Sequence, residues 1–287
     1  MIHMVKFIKN EILNQKFNAF VLNRGRYNMK TYNAIDKIGQ AIIADGLCEA
    51  IVLKGSIGRG DDDEYSDVDM YAIVTEENYQ LFMARRETYL KSYRDIVYLA
   101  ENDFGVKQIL AIYDDALHVD LYTTTMEHLD HGNPVKVFYD PKNLFDNYQV
   151  VYNMYTKEDL ISIFDDSLYY FVEASSAYAR KNYPWTARIL ASAIAGCTIL
   201  LRNRYDKEYA FLGLKKINEI LPEDEYVLVE AAYANLNKDG FQQANTYILK
   251  MLELTLDSME ESERNACNLK FYEWCKENVN VTLFACK

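Results

Sequence analysis

Positive charge, cysteine, histidine and proline are all scarce in this chain. Its 31 Lys and Arg face 43 Asp and Glu, a net charge of −12, and a surface of that sign repels phosphate backbones and anionic membranes. Nucleic acid and membrane are therefore not expected partners. The five cysteines (Cys48, Cys197, Cys267, Cys275, Cys286) are odd in number and widely spread, with no Cys-x-x-Cys pair. They predict free thiols, with neither a disulfide framework nor a zinc site. The longest apolar run, 189–201 between Arg188 and Arg202, is short for a bilayer span and suits a buried core helix. The N-terminal residues mix Lys6, Lys9 and Glu11 with scattered apolar ones and lack the apolar stretch of a secretory signal. A cytoplasmic location is the expectation.

Apolar residues are plentiful: they make up 50% of 287 residues, enough to bury a core in one large or two ordinary domains. Helical spacing over 28–44 stops at Asp45-Gly46. Segments 49–53 and 68–74 read as strands, and a helix follows over 76–92 with Thr75 as its cap. Residues 96–102 and 107–113 are two more strands, and 117–122 alternates apolar with polar residues at the strand period. Two breaker clusters, His131-Gly132-Asn133-Pro134 and Asp140-Pro141, mark a loop. From about residue 157 the apolar period is three to four, broken near Pro184, Leu221-Pro222 and Lys238-Asp239-Gly240, with the longest helical pattern over 241–262. The fold class expected is α/β (α+β): a domain over 1–150 with a mixed sheet flanked by helices, then a helical bundle of about five helices over 151–287.

The stretch VLKGSIGRGDDDEYSDVDMYAIV, residues 52–74, carries the chemistry. Asp67 and Asp69, two apart on a strand, point to one side with Cα atoms roughly 6.5–7 Å apart. Such carboxylates repel unless a cation lies between them. Oxygen-only donors favour a hard ion such as Mg²⁺, which also takes substrate phosphates. Gly55-Ser56 ends the preceding strand, where a glycine admits a phosphate close to the backbone and Ser56 adds a hydroxyl donor. Asp120, on a later strand, is a third acid: either a ligand in a site for one or two Mg²⁺ ions, or the general base for an acceptor hydroxyl. Other readings of the segment fare worse. A P-loop would need Lys where Asp61 stands, and an EF-hand loop would need ligand and glycine where Tyr65 and Ser66 stand. Asp61, Asp62, Asp63 and Glu64 read as a hydrated loop. His118 shares a face with Asp120, either lining the site or bonded locally, while His128 and His131 lack a third metal ligand.

Gly55-Ser56, ten intervening residues, Asp67-Val68-Asp69 and then Asp120 resemble the signature of the DNA polymerase β-like nucleotidyltransferase superfamily. The Ser66-Asp67-Val68-Asp69 form and the helical second half look most like its aminoglycoside and lincosamide nucleotidyltransferases. The resemblance implies transfer of a nucleoside monophosphate, usually from ATP, to a hydroxyl of a small molecule, with two Mg²⁺ ions and release of pyrophosphate. Ser56 would then touch the triphosphate, Asp67 and Asp69 would ligate metal, and Asp120 would be ligand or base. Residues 189–230 are similar to the streptomycin/spectinomycin type of helical domain, which makes Lys215 and Lys216 candidates for phosphate contacts, with Arg59 a third. Asp165, Asp166 and Glu173 are candidates for binding a cationic acceptor. A second function is modification of a protein partner, but no histidine follows His131, so the Arg-x4-6-His nuclease site that accompanies such enzymes is absent. A silent nucleotide-binding module would not need all three acids, and RNA tailing would need a basic track.

Overall fold

The computed structural model describes residues 29–285. The segment carrying Lys6, Lys9 and Glu11, residue 28 and Cys286 lie outside the described residues. The chain divides between Tyr152 and Asn153 into two compact units.

In the first unit, α1 (Met29–Asp45) leads into β1 (Cys48–Leu53), a short helix α2 (Gly55–Arg59), β2 (Val68–Val74) and α3 (Glu76–Leu90). Strands β3 (Ile96–Asp103), β4 (Lys107–Tyr113), β5 (His118–Thr124) and β6 (Lys136–Tyr139) complete it. The sheet order is β3-β4-β5-β2-β1-β6. Only the β2–β5 pair is parallel; the others run antiparallel. The strand period explains the two faces. Ile51, Leu53, Val68, Met70, Ala72, Val119 and Leu121 project to one side and pack with Ile35, Ile38 and Ile42 of α1 and Phe82 and Leu90 of α3. The helices cover that face because α1 places its isoleucines three to four apart. Gly46, at φ +74°, ends α1, and the Thr75 hydroxyl caps α3 by accepting from Asn78 N–H. The opposite face packs only a small cluster of Ala50, Val52 and Ile73 with Leu129 and Phe145. The acids lie on this thinly covered side.

Segment 131–141 is not all loop. Between its two breaker clusters β6 pairs with β1, four residues too short to show a period in sequence. The strand read at 117–122 starts one residue later and ends two later, from His118 to Thr124.

The second unit is helical. Its α-helices are α4 (Lys157–Ala179), α5 (Tyr183–Tyr205), α6 (Ile217–Ile220), α7 (Glu223–Ala234), α8 (Phe241–Ser258), α9 (Glu261–Ala266) and α10 (Leu269–Asn278), with a 3-10 turn at Lys207–Leu212 and a π turn at Val279–Leu283. Thr156 and Asp159 form a capping box at the start of α4, and Pro184 occupies the first turn of α5. The helical pattern over 241–262 breaks at Met259: Glu260 and Glu263 make a capping box that begins α9. Helix α5 is long and apolar enough to cross a bilayer by length and composition. Leu190, Ala193, Ile194, Cys197 and Leu201 are nevertheless fully buried against α4 and α8 in the core of the unit. Cys48, Cys197, Cys267 and Cys275 are buried free thiols.

Candidate active site

Strand pairing brings the acids together. Asp69 on β2 is in register with Asp120 on the parallel strand β5, so their side chains leave the sheet on the same face, with backbones about 4.8 Å apart. Asp67 immediately precedes β2 and points the same way by the two-residue period. Asp67 and Asp69 are half-buried, and Asp120 is 7% exposed. The Asp120 Oδ1 atom lies 3.0 Å from His118 Nε2. That hydrogen bond raises the His118 pKa above its usual value, against the opposing effect of burial, and the charges of Asp120, Asp67 and Asp69 add to the rise. His118 therefore both lies on the acidic face and is bonded locally.

The glycine turn abuts these acids. Lys54 N–H donates to Asp69 O at 2.9 Å, fastening the end of β1 to β2. Gly55 then adopts φ +57°, and a Cβ added there would lie 1.9 Å from Asp69 Oδ2: the carboxylate occupies the space that any other residue would fill. Gly55-Ser56 begins α2 rather than ending β1, and Gly60, at φ +85°, terminates it by donating to Ser56 O at 2.8 Å. Gly58 is constrained too, since a Cβ there would stand 2.5 Å from Pro134 O. The Ser56 hydroxyl is buried and has no hydrogen-bond partner, which is costly unless a ligand completes it.

The acidic loop is more than hydrated surface. Asp62 is buried and accepts from the Tyr32 hydroxyl at 2.7 Å. Asp63 Oδ1 accepts from Tyr65 N–H at 2.9 Å, and Ser66 Oγ accepts from Asp63 N–H at 2.9 Å. These bonds fix the chain that delivers Asp67 to the strand.

Lys54 carried no signal in the sequence. It is 3% exposed, with Nζ 3.5 Å from Asp130 Oδ2, donating also to Asp130 O, and 4.6 Å from the centre of the Tyr71 ring. Burial lowers its pKa, opposed by the charges of Asp130 and then Asp69. Tyr71 stacks on Tyr122 at 4.3 Å. These tyrosines are each two residues past an acid, so the period that aligns the carboxylates also aligns the rings. The acids thus border a layer of ammonium and two rings.

Several of the remaining candidates have partners of their own. Arg59 is paired with Asp61, at 3.2 Å. Lys215 and Lys216 belong to the helical unit, in the turn before α6; Lys215 is exposed, its carbonyl accepts from Arg202 Nη1 at 2.6 Å, and Lys216 has φ +53°. Asp165 Oδ1 accepts from Asn268 N–H at 3.0 Å, holding α4 to the start of α10. Asp166 is exposed and Glu173 half-buried on α4, seven residues apart on one side of the helix.

Among the described residues, no three His, Cys, Asp or Glu are spaced to grip a metal unaided. Mg²⁺ is commonly held by one or two carboxylates with substrate phosphates and water rather than by an all-protein cage. The all-oxygen donor set and the room that Gly55 leaves for Asp69 fit such an ion.

No protein-family model and no curated protein matches the chain. Among solved structures, an aminoglycoside 6-adenyltransferase from Bacillus subtilis is similar at 11% identity and a TM-score of 0.36, over 88% of this chain and 98% of that one. Two chains related at that level superpose loosely, and the chemistry of this site is read from its own residues.

Proposed function

We propose that the protein is a Mg²⁺-dependent nucleotidyltransferase that transfers AMP from ATP to a hydroxyl of a small molecule and releases pyrophosphate. One observation carries the reading: Asp69 and Asp120 are register partners on a thinly covered sheet face, and Asp69 fills the Cβ space of Gly55 beside the unpartnered, buried Ser56 hydroxyl. A metal-bound triphosphate needs both acids and an anion donor, and this strand face and its preceding turn carry both kinds of group.

Asp67 and Asp69 would hold Mg²⁺, with Asp120 as a further ligand or as the base. The ion, when bound, supplies neutralisation of charge on the phosphate oxygens. Ser56 donates to a phosphate oxygen. As base, Asp120 takes the proton of the acceptor hydroxyl through Oδ2, because Oδ1 is engaged by His118. The acceptor oxygen bonds to the α-phosphorus as the bond from that phosphorus to the β-phosphate oxygen breaks, and pyrophosphate departs. Lys54 lies buried beside Asp130 and over the Tyr71 ring, next to the acids. Arg59, Lys215 and Lys216 are proposed phosphate contacts. Asp166 and Glu173 are proposed to bind cationic acceptor groups, with Asp165 already engaged by Asn268. The acceptor class proposed is an aminoglycoside or lincosamide.

The test is pyrophosphate release from ATP and Mg²⁺ across a panel of both drug classes. Turnover with one drug, yielding an adduct heavier by one AMP, names the acceptor. Silence across the panel with nucleotide still bound contradicts the antibiotic acceptor and turns attention to a metabolite or a protein partner.

A further inference from the structure

The helical unit contains a cavity of about 680 Å³, within the size range of small-molecule sites. It opens among α4, the C-terminal end of α5 and the junction of α8 with α9, wholly inside that unit. Its floor is apolar, built from Leu160, Ile161, Leu200 and Met259. Its walls carry three cations, Lys157, Arg204 and Lys207, against one carboxylate, Glu263. That balance is opposite in sign to the chain as a whole, whose net charge is −12.

The cations are not equivalent. Arg204 gives Nη1 to both oxygens of Glu225 at 2.9 Å. Lys157 is held by Glu260 at 3.0 Å and by Glu263 at 2.9 Å, which also neutralises the one acid in the wall. Lys207 is exposed, and neither it nor the half-buried Asn203 side chain makes a hydrogen bond or ion pair to a described residue, although the Lys207 charge also acts on Glu263 at longer range. One cation and one amide, neither hydrogen-bonded to a described residue, therefore line the cavity beside its apolar residues.

We propose that this cavity is a binding site for a small amphipathic monoanion, with a carboxylate, sulfonate or phosphate head at Lys207 and Asn203 and an apolar body on Leu160, Leu200 and Met259. A polyanion would find only one free cation there, and a wholly polar ligand would leave the floor unfilled. Every residue that lines the cavity belongs to the helical unit, and the proposal does not depend on the reaction assigned to the first unit.

The probe is 8-anilinonaphthalene-1-sulfonate, which has one sulfonate and two aromatic groups. Its fluorescence is titrated into the full chain as wild type, Lys207→Glu and Lys207→Gln, with circular dichroism confirming that each is folded. The expected result is one saturable site, weakened about tenfold or more by Lys207→Glu and less by Lys207→Gln, and unchanged by saturating Mg²⁺ and ATP. Equal binding to wild type and Lys207→Glu, or binding without saturation, would overturn the proposal. Displacement by Mg²⁺ and ATP would overturn it too, by assigning the cavity to the nucleotide.

Discussion

At the scale of single residues, Gly55 has no room for a Cβ, because of its contact with Asp69. An alanine at 55 would carry its methyl group 1.9 Å from Asp69 Oδ2 at a φ of +57°. The left-handed backbone alone costs about 1–2 kcal/mol for a residue with a Cβ, and the carboxylate must also move. Gly55→Ala is expected to lower the melting temperature by several degrees and to abolish nucleotidyl transfer, as calorimetry and pyrophosphate release would show. His118 acts through Asp120: removing the ring leaves the carboxylate without the partner that fixes its Oδ1. His118→Ala should reduce kcat about 10–100-fold with little change in KM for ATP, and an unchanged kcat would remove His118 from the mechanism. The spacing of Asp67, Asp69 and Asp120 was legible because a strand projects every second residue to one face. Lys54 was not, since its burial beneath Asp130 and over Tyr71 arises only when distant segments meet. The Asp62–Tyr32 bond was hidden for the same reason, and Asp62 read as solvated.

At the scale of elements, end signals were more legible than short pairings. Thr75, Gly46 and Pro184 mark boundaries because each acts through its own backbone or its nearest neighbours. Strand β6 owes its conformation to β1, and four residues leave no pattern of their own. The break after Ser258 was overlooked because Glu260 caps α9 with a side chain not usually counted among N-caps. The capping box of α4 supports a pH prediction. Bonds from the Thr156 backbone and side chain hold the Asp159 pKa below its usual 3.8. A carboxylate depressed in the fold contributes stability that is present above the unfolded value and is lost as pH falls through the folded one. Asp159→Asn should therefore lower the melting temperature at pH 7, with the difference vanishing in strong acid. A difference that persists there would contradict the capping role.

At the scale of the whole molecule, the chain divides between Tyr152 and Asn153 into two compact units, each with a hydrophobic core. Their interiors explain the fate of the thiols. Burial pushes Cys48, Cys197 and Cys275 up to about 12, so at pH 8 almost none is thiolate. Iodoacetamide should leave these three unmodified in the native protein and alkylate them after urea unfolding, as peptide mass analysis would report. Labelling in the native state would mean that one of the cores opens. The acidic balance, by contrast, says little about the reaction, since the carboxylates proposed to react, Asp67, Asp69 and Asp120, sit on one strand face.

The central claim is that the carboxylates on that face bind a nucleoside triphosphate through a divalent ion. Isothermal titration of a non-hydrolysable ATP analogue, with and without Mg²⁺, against wild type, Asp67→Asn and Asp69→Asn tests it most directly. Asparagine keeps the shape of each side chain and removes its charge. The account predicts binding that requires Mg²⁺ in the wild type and weakens at least about tenfold in each variant. Equal affinity without Mg²⁺, or binding unaffected by both substitutions, would contradict it.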